Sequence, residues 1–207
     1  MKAHTKDILS LEDIERLHAK YAPSEAVRRT VFKHCQIVAE IAEQLIDTNK
    51  LVIDRGFVRA AALLHDIGYY PLVDAEGDFL PGAAQIQHAV AGEKILRSEG
   101  LSEAQCSCCL HHIGVGLSKE DVIRQALPIP PVDYMPMTDE ERLVMYADKF
   151  HSKKKLRELA FNSFEFYETL LRERFGEESV ERWHDLARTF GTPELTALAQ
   201  KHHQYIR

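Results

Sequence analysis

An all-α fold is what this sequence predicts, and three observations carry the prediction. Apolar residues recur at steps of three and four along nearly the whole chain, the period of a helix with one buried face. No run alternates β-branched with polar residues, and no Asn-Gly type of turn signals a hairpin. The periodic segments are opened by Ser or Thr and closed by Gly or Pro, the usual helix punctuation. At 207 residues, with 45% hydrophobic and 28% charged side chains, the chain is expected to form one domain, with little room for a second.

The elements follow in order. LEDIERLHAKY reads as a first helix that stops before Pro23. Ser24 caps a long second helix through Lys50, whose positions Val27, Val31, Val38, Ile41 and Leu45 face inward, with His34 filling the gap in the row. FVRAAALLHDIG is almost wholly apolar and is expected to run to Gly68, with Pro71 blocking continuation. A loop, VDAEGDFLPG, leads to a helix over 84–99, where Gly92 in mid-helix points to close backbone approach by a neighbour. Ser102 with Gln105 opens a helix that ends at His111-His112, and Gly114 and Gly116 supply the stop. LPIPPVDYMP reads as a structured loop. Thr138 with Glu141 opens a helix expected to carry Val144, Ala147, Asp148 and His151 along one side. Three further amphipathic segments, separated by Gly176 and by GTP at 191–193, form a helical extension over about 160–207.

Composition narrows the partners. A formal net charge of −6 argues against nucleic acid, which asks for a basic face. A small anionic substrate stays open, because bound divalent metals reverse the local field. MKAHTKDILSLEDIERL has no apolar leader region, and no apolar stretch approaches the ~20 residues of a membrane span. A cytoplasmic location away from membranes is the expectation. Apolar positions in the last helices suit either core or a homo-oligomer interface. The cysteines at 35, 106, 108 and 109 read as small core hydrophobes, since Cys106 and Cys109 lack the second pair that a zinc site needs.

The chemistry gathers around His65-Asp66, which ends an apolar segment where burying polar groups is costly. Inward-facing His34, His65, His88 and His112, with Asp66 and Asp148, would make a cluster too polar to bury without metal. Imidazole-rich sites favour Mn, Fe, Co, Ni or Zn over Mg. Six ligands exceed what one tetrahedral ion needs and suit two ions sharing a carboxylate, for which Asp66 is the natural bridge. Adjacent helical residues point about 100° apart, so His111 and His112 cannot serve one site equally unless the helix has ended there.

The order H…HD…H…HH…D, with the textures LLHDIG, HAVAGEKILRSEGL and HHIGVGL, resembles the HD superfamily of metal-dependent phosphohydrolases in its HDIG-type branch, over roughly residues 24–152. The resemblance implies an HD-domain helical bundle. It implies that His34, His65, Asp66 and Asp148 form the shared metal-binding core, and that His88 and a histidine near 112 are the further ligands of two-metal members. The HIG match favours His112, leaving His111 as a group behind the ligands, one facing substrate, or an exposed one.

The implied activity is hydrolysis of a nucleotide or other small phosphate ester by a metal-activated water. Asp66, His111 and Lys149 are the expected catalytic residues, and Arg28, Arg29 and Lys149 the expected substrate-binding ones. Lys149, next to a ligand, is expected to turn away from the metals, and the run Lys153-Lys154-Lys155 to be a solvated face. Tyr69 stands where some two-metal relatives carry Lys. The HHxxxxGxGYP pattern of cyclic-di-GMP phosphodiesterases is absent, which argues against that substrate. A mixed-valent diiron oxygenase, with Tyr21 and Glu25 ahead of the first histidine, and a metal-stapled sensor without catalysis are the alternatives on the same ligands.

Overall fold

A computed structural model describes residues 9–154, 156 and 158–207. They form an all-α fold, with one short β-ribbon and no helix long and apolar enough to cross a membrane among the described residues. α1 (Leu11–Tyr21) starts on a reciprocal cap between Ser10 and Asp13. α2 (Glu25–Asn49) is capped by Ser24, whose hydroxyl accepts from the Val27 amide. This long helix is the spine of the fold. Its buried row Val27, Val31, His34, Val38, Ile41 and Leu45 packs against α3 (Arg55–Leu64), which is buried along almost its whole length.

α3 ends four residues before the expected Gly68. The chain instead passes through His65 and Asp66 into a 3₁₀ turn, Ile67–Leu72, that takes in Pro71. Packing against α4 (His88–Ser98) explains the bend. A Cβ on Gly68 would collide with the His88 carbonyl and the Gly92 backbone, and one on Gly92 would come 2.5 Å from Cys109 Sγ. The expected close approach at Gly92 is therefore real, and it is what presses the HD segment against its neighbour.

α5 (Glu103–His111) and α7 (Asp139–Asp148) complete the wall around α3. Their predicted caps form, because Ser102 and Thr138 accept from the Gln105 and Glu141 amides. The Glu141 carboxylate does not close its box. It accepts instead from the Met137 amide and meets His111. Between them lies a short helix that the sequence reading lacks, α6 (Lys119–Arg124). It packs with the proline-rich loop around Ala89, Ile113, Leu117, Val122, Ile129 and Tyr134.

The ribbon is a second departure. α7 stops at Asp148, and β1 (His151–Lys154) pairs antiparallel with β2 (Glu158–Phe161), placing His151 opposite Phe161. His151 is thus on a strand, not on the helix carrying Asp148. The pairing itself joins neighbouring stretches of the chain, and the distant C-terminal tail extends it. Phe161 N–H donates to the Tyr205 carbonyl, and Arg207 N–H donates to the Phe161 carbonyl. α8 (Phe164–Phe175), α9 (Glu177–Phe190) and α10 (Leu195–His202) pack back on the bundle. Trp183, fully buried among Tyr146, Phe150, Phe164 and Tyr167, anchors them.

Candidate metal centre

The end of α3, the start of α4, the end of α5 and the end of α7 converge, each delivering side chains to one buried cluster. His65, His88 and His112 are held by the same local device. Each ring donates from Nδ1 to a carbonyl three residues back, Ala62 at 2.7 Å, Gln85 at 2.5 Å and Cys109 at 2.6 Å. A carbonyl can only accept, so in the neutral ring the proton is on Nδ1 and Nε2 keeps its lone pair.

The carboxylate of Asp66 lies between two histidine pairs. Its Oδ2 is 3.0 Å from His34 Nε2 and 3.2 Å from His65 Nε2. Its Oδ1 is 3.3 Å from His88 Nε2 and 3.6 Å from His112 Nε2. Asp148 Oδ1 completes the first group, at 2.9 Å from His34 Nε2 and 3.4 Å from His65 Nε2. The structure therefore brings all six expected ligands together as two sets sharing Asp66. One is His34, His65, Asp66 and Asp148, the other Asp66, His88 and His112, with the donor atoms within 4.8 Å of one another in each set.

This donor set fits divalent cations. Nε2 of His88 and Nε2 of His112 face each other at 2.7 Å, and those of His34 and His65 at 3.3 Å. Burial opposes charge on His65, but Asp66 outweighs it and holds this ring protonated in the metal-free cluster, while the nitrogens of His88 and His112 face each other. A divalent cation in place of that proton would satisfy the ring nitrogens and carboxylates together. Asp66 Oδ2 is a buried acceptor without a properly directed hydrogen bond. Burial resists ionisation of Asp66, but His65 and Lys153 outweigh it and hold the carboxyl well below its ordinary range. Burial and then the neighbouring His112 push His88 down to about 3, so this ring stays neutral and able to ligate.

His34 is oriented differently from the other three. Its Nδ1 is 2.7 Å from Nδ1 of His151, whose Nε2 is 2.8 Å from Gln204 Oε1. The amide oxygen of Gln204 accepts, so His151 carries its proton on Nε2 and accepts from His34 on Nδ1. Burial and the adjacent His34 drive His151 down to about 2, which keeps it an acceptor. A directed chain thus runs from the C-terminal tail to the group formed by His34, His65, Asp66 and Asp148.

The lysines are not where the sequence suggested. Lys149 does not turn away. Its ammonium donates to Asp148 Oδ2 at 2.6 Å and to the His112 carbonyl at 2.8 Å, because α7 ends at Asp148 and the flexible stem folds back. Lys153 is not on a solvated face. Its ammonium contacts Asp66 Oδ2 and lies 4.2 Å from the centre of the Tyr69 ring. Alternation along β1 puts it on the same face as His151. Lys155 and the Lys154 side chain lie outside the described residues.

Arg28 and Arg29 are both engaged with Glu25 in the first turn of α2. His111 bonds Glu141 at 2.9 Å. Tyr21 bonds Glu99, so neither Tyr21 nor Glu25 has its polar atoms committed to the cluster. The four cysteines are free and buried, as core residues should be. His202 is a buried side chain on Glu40 at 2.8 Å, whereas His203 is exposed. His151 and Lys153 are the site residues that sequence reasoning missed. No signal in HSKK marks a strand, so nothing in the sequence turned these two side chains inward.

A fold of this kind around an H…HD…H…HH…D cluster defines a class, and the HD-domain family model matches residues 31–153. The chain belongs to the HD-domain family. It is 37% identical over 121 residues to the uncharacterized protein MJ0778 of Methanocaldococcus jannaschii, a match covering 57% of this chain and 64% of that one. It is 35% identical over 139 residues to a tRNA (cytidine(56)-2'-O)-methyltransferase of Thermoplasma volcanium, covering 67% of this chain but only 36% of the relative. Among solved structures, the HD domain of the L. monocytogenes phosphodiesterase PgpH superposes over 92% of this chain and 99% of its own, with a TM-score of 0.53 and 17% identity. The same domain in complex with cyclic-di-AMP superposes with a TM-score of 0.50 and 16% identity, over 85% of this chain and 95% of its own. The likeness to both is one of fold.

Proposed function

We propose that this chain is a metal-dependent phosphohydrolase acting on a nucleotide or another small phosphate ester. One observation carries the reading: Asp66 presents one oxygen to each of two histidine pairs, with the Lys153 ammonium beside it and the Lys149 ammonium on Asp148. His34, His65, Asp66 and Asp148 would hold one ion, and Asp66, His88 and His112 a second, with Fe, Mn, Co, Ni or Zn favoured by the nitrogen-rich donors. Such ions supply Lewis acidity and lower the pKa of water to make a nucleophile near neutral pH.

The chain's own residues do the rest. The three carbonyl-anchored rings and the His151–His34 bond fix the ligands before any ion arrives, which lowers the reorganisation needed at the reaction. Lys149 holds Asp148 in place through its second oxygen. Two buried lysines against two carboxylates already balance the charge, so bound divalent ions leave a surplus of positive charge, matched to an anionic ester. Asp148 and His88 are the most exposed members of the cluster, at 14% and 10%, and substrate would enter on that side. The phosphodiesterase named among the structural neighbours supports the same reaction class.

The test is metal content of untagged protein purified without chelators, with an EPR spectrum, followed by a panel of mononucleotides, cyclic dinucleotides and sugar phosphates. Two ions per chain and turnover of a phosphate ester are expected, with His34→Ala and His88→Ala each lowering the stoichiometry by one. A mixed-valent iron signal that responds to O2 would move the assignment to an oxygenase. Full metal loading with no turnover, and loss of stability on metal removal, would leave a metal-stapled sensor.

A further inference from the structure

Lys153 balances the charge of the metal-free cluster, and metal binding would leave it without its carboxylate partner. Its side chain is 8% exposed, its ammonium contacts Asp66 Oδ2, and the Tyr69 ring lies beneath it at 4.2 Å. Asp66 Oδ2 is also the oxygen that faces His34 Nε2 at 3.0 Å and His65 Nε2 at 3.2 Å. A divalent ion gripped by those two nitrogens and that oxygen would sit against the ammonium. Two cations in contact with little water between them repel strongly, so ion and ammonium exclude one another at this oxygen.

The displaced ammonium has nowhere distant to go. Its backbone is fixed by pairing of β1 with β2, where Lys153 stands opposite Leu159, and its side chain is buried. A desolvated ammonium needs an anionic partner. Asp148 is already shared with Lys149, and Asp66 would be taken by metal. Among the described residues Asp66 and Asp148 are the carboxylates that act on Lys153, so a further anion for it would be the one the metals themselves bind.

We propose that Lys153 exchanges Asp66 for a phosphoryl oxygen of the substrate, and so is both a phosphate-binding residue of the metal-loaded site and the cation that competes with the first metal ion. The proposal rests on the phosphohydrolase reading and supplies a substrate contact for it. A tethered ammonium resting on an aromatic face is well suited to a tetrahedral oxyanion, because all of its donors can turn toward the ligand.

The experiment is calorimetric titration of chelator-treated protein with Mn2+, then of Mn2+-loaded protein with inorganic phosphate, for wild type, Lys153→Met and Lys153→Arg. A charge-assisted contact of this kind corresponds to about a ten-fold effect or more. In Lys153→Met, Mn2+ is expected to bind at least about ten-fold tighter and phosphate at least about ten-fold weaker. Lys153→Arg, which keeps the charge, is expected to hold phosphate within about three-fold of wild type. Unchanged phosphate affinity in Lys153→Met overturns the proposal, as does unchanged Mn2+ affinity. Lys153→Gln makes the same comparison if the methionine variant does not fold. Wild-type protein that binds no Mn2+ or other divalent ion would instead sink the phosphohydrolase reading itself, a separate failure.

Discussion

Acidification from pH 7.5 to 4.5 should cost this protein about 2.5 kcal/mol of stability through His18 alone. His18 is fully buried between α1 and the end of α3. Its Nε2 donates to the Leu63 carbonyl at 2.8 Å, and its Nδ1 accepts from the Tyr70 hydroxyl at 2.5 Å. Both ring nitrogens are therefore satisfied in the neutral form, and burial pushes the pKa down to about 4. In the unfolded chain the ring titrates near 6.5, so between pH 6.5 and 4 the unfolded state binds the extra proton and stability falls as pH falls. Above pH 6.5 neither state is charged and the contribution is complete. Over the full interval of about 2.5 pK units the loss is about 3.4 kcal/mol, of which roughly 2.5 has been incurred by pH 4.5.

The assay is urea unfolding of chelator-treated wild type and His18→Gln at both pH values. Carboxylates and the cluster histidines titrate in both proteins, so their effects cancel in the difference. The variant should be weaker at pH 7.5 by about 1 kcal/mol, from altered hydrogen bonds to Leu63 and Tyr70. It should then lose about 2.5 kcal/mol less on acidification. Equal losses in the two proteins, within about 0.5 kcal/mol, would refute the argument that burial holds this ring neutral.

Two further outcomes follow from the packing of the site. His151→Phe keeps an aromatic ring but removes the acceptor for His34 Nδ1, and should weaken the first metal ion by about 10–100-fold in a titration. Unaltered affinity would mean that the His34–His151 bond does not orient the ligand. Gly92→Ala places a methyl group 2.5 Å from Cys109 Sγ and 3.2 Å from the Gly68 amide nitrogen, so it should cost about 1–3 kcal/mol in thermal or urea unfolding. Adding Cys109→Ala should restore part of that loss, and a Gly92→Ala protein as stable as wild type would show that the helices can part without penalty.

Much of the fold was legible because helices announce themselves locally. The step of threes and fours from Val27 to Leu45 marks the buried face of α2 and turns His34 inward with it. The caps at Ser24, Ser102 and Thr138 appear where their hydroxyls meet the first free amides. Gly92 signals its close contact because nothing else justifies a glycine in mid-helix. The convergence of His34, His65, Asp66, His88, His112 and Asp148 was legible too, since the polar residues interrupt otherwise apolar helix faces and the motif order matches a known family.

Other features were not legible, and they share a cause. Lys149 next to Asp148 looks turned away if the helix is continued, but the helix stops and a flexible stem returns the ammonium to the same carboxylate. His202 looks like one polar residue in a polar tail until Glu40 on α2 receives it. The strand is the clearest case. Residues 151–154, HSKK, have no strand character of their own, and on a continued helix Lys153 would face away from Asp148.

The sequence by itself determined the helices, their buried faces and the six polar residues carried on those faces, because helical hydrogen bonds close over four residues and need no distant partner. Only the tertiary structure decided that residues 151–154 pair with 158–161, that the tail seats Gln204 on His151, and that Lys153 meets Asp66. A strand's hydrogen bonds are made to another segment, and a two-residue period turns alternate side chains inward only once that segment is in place.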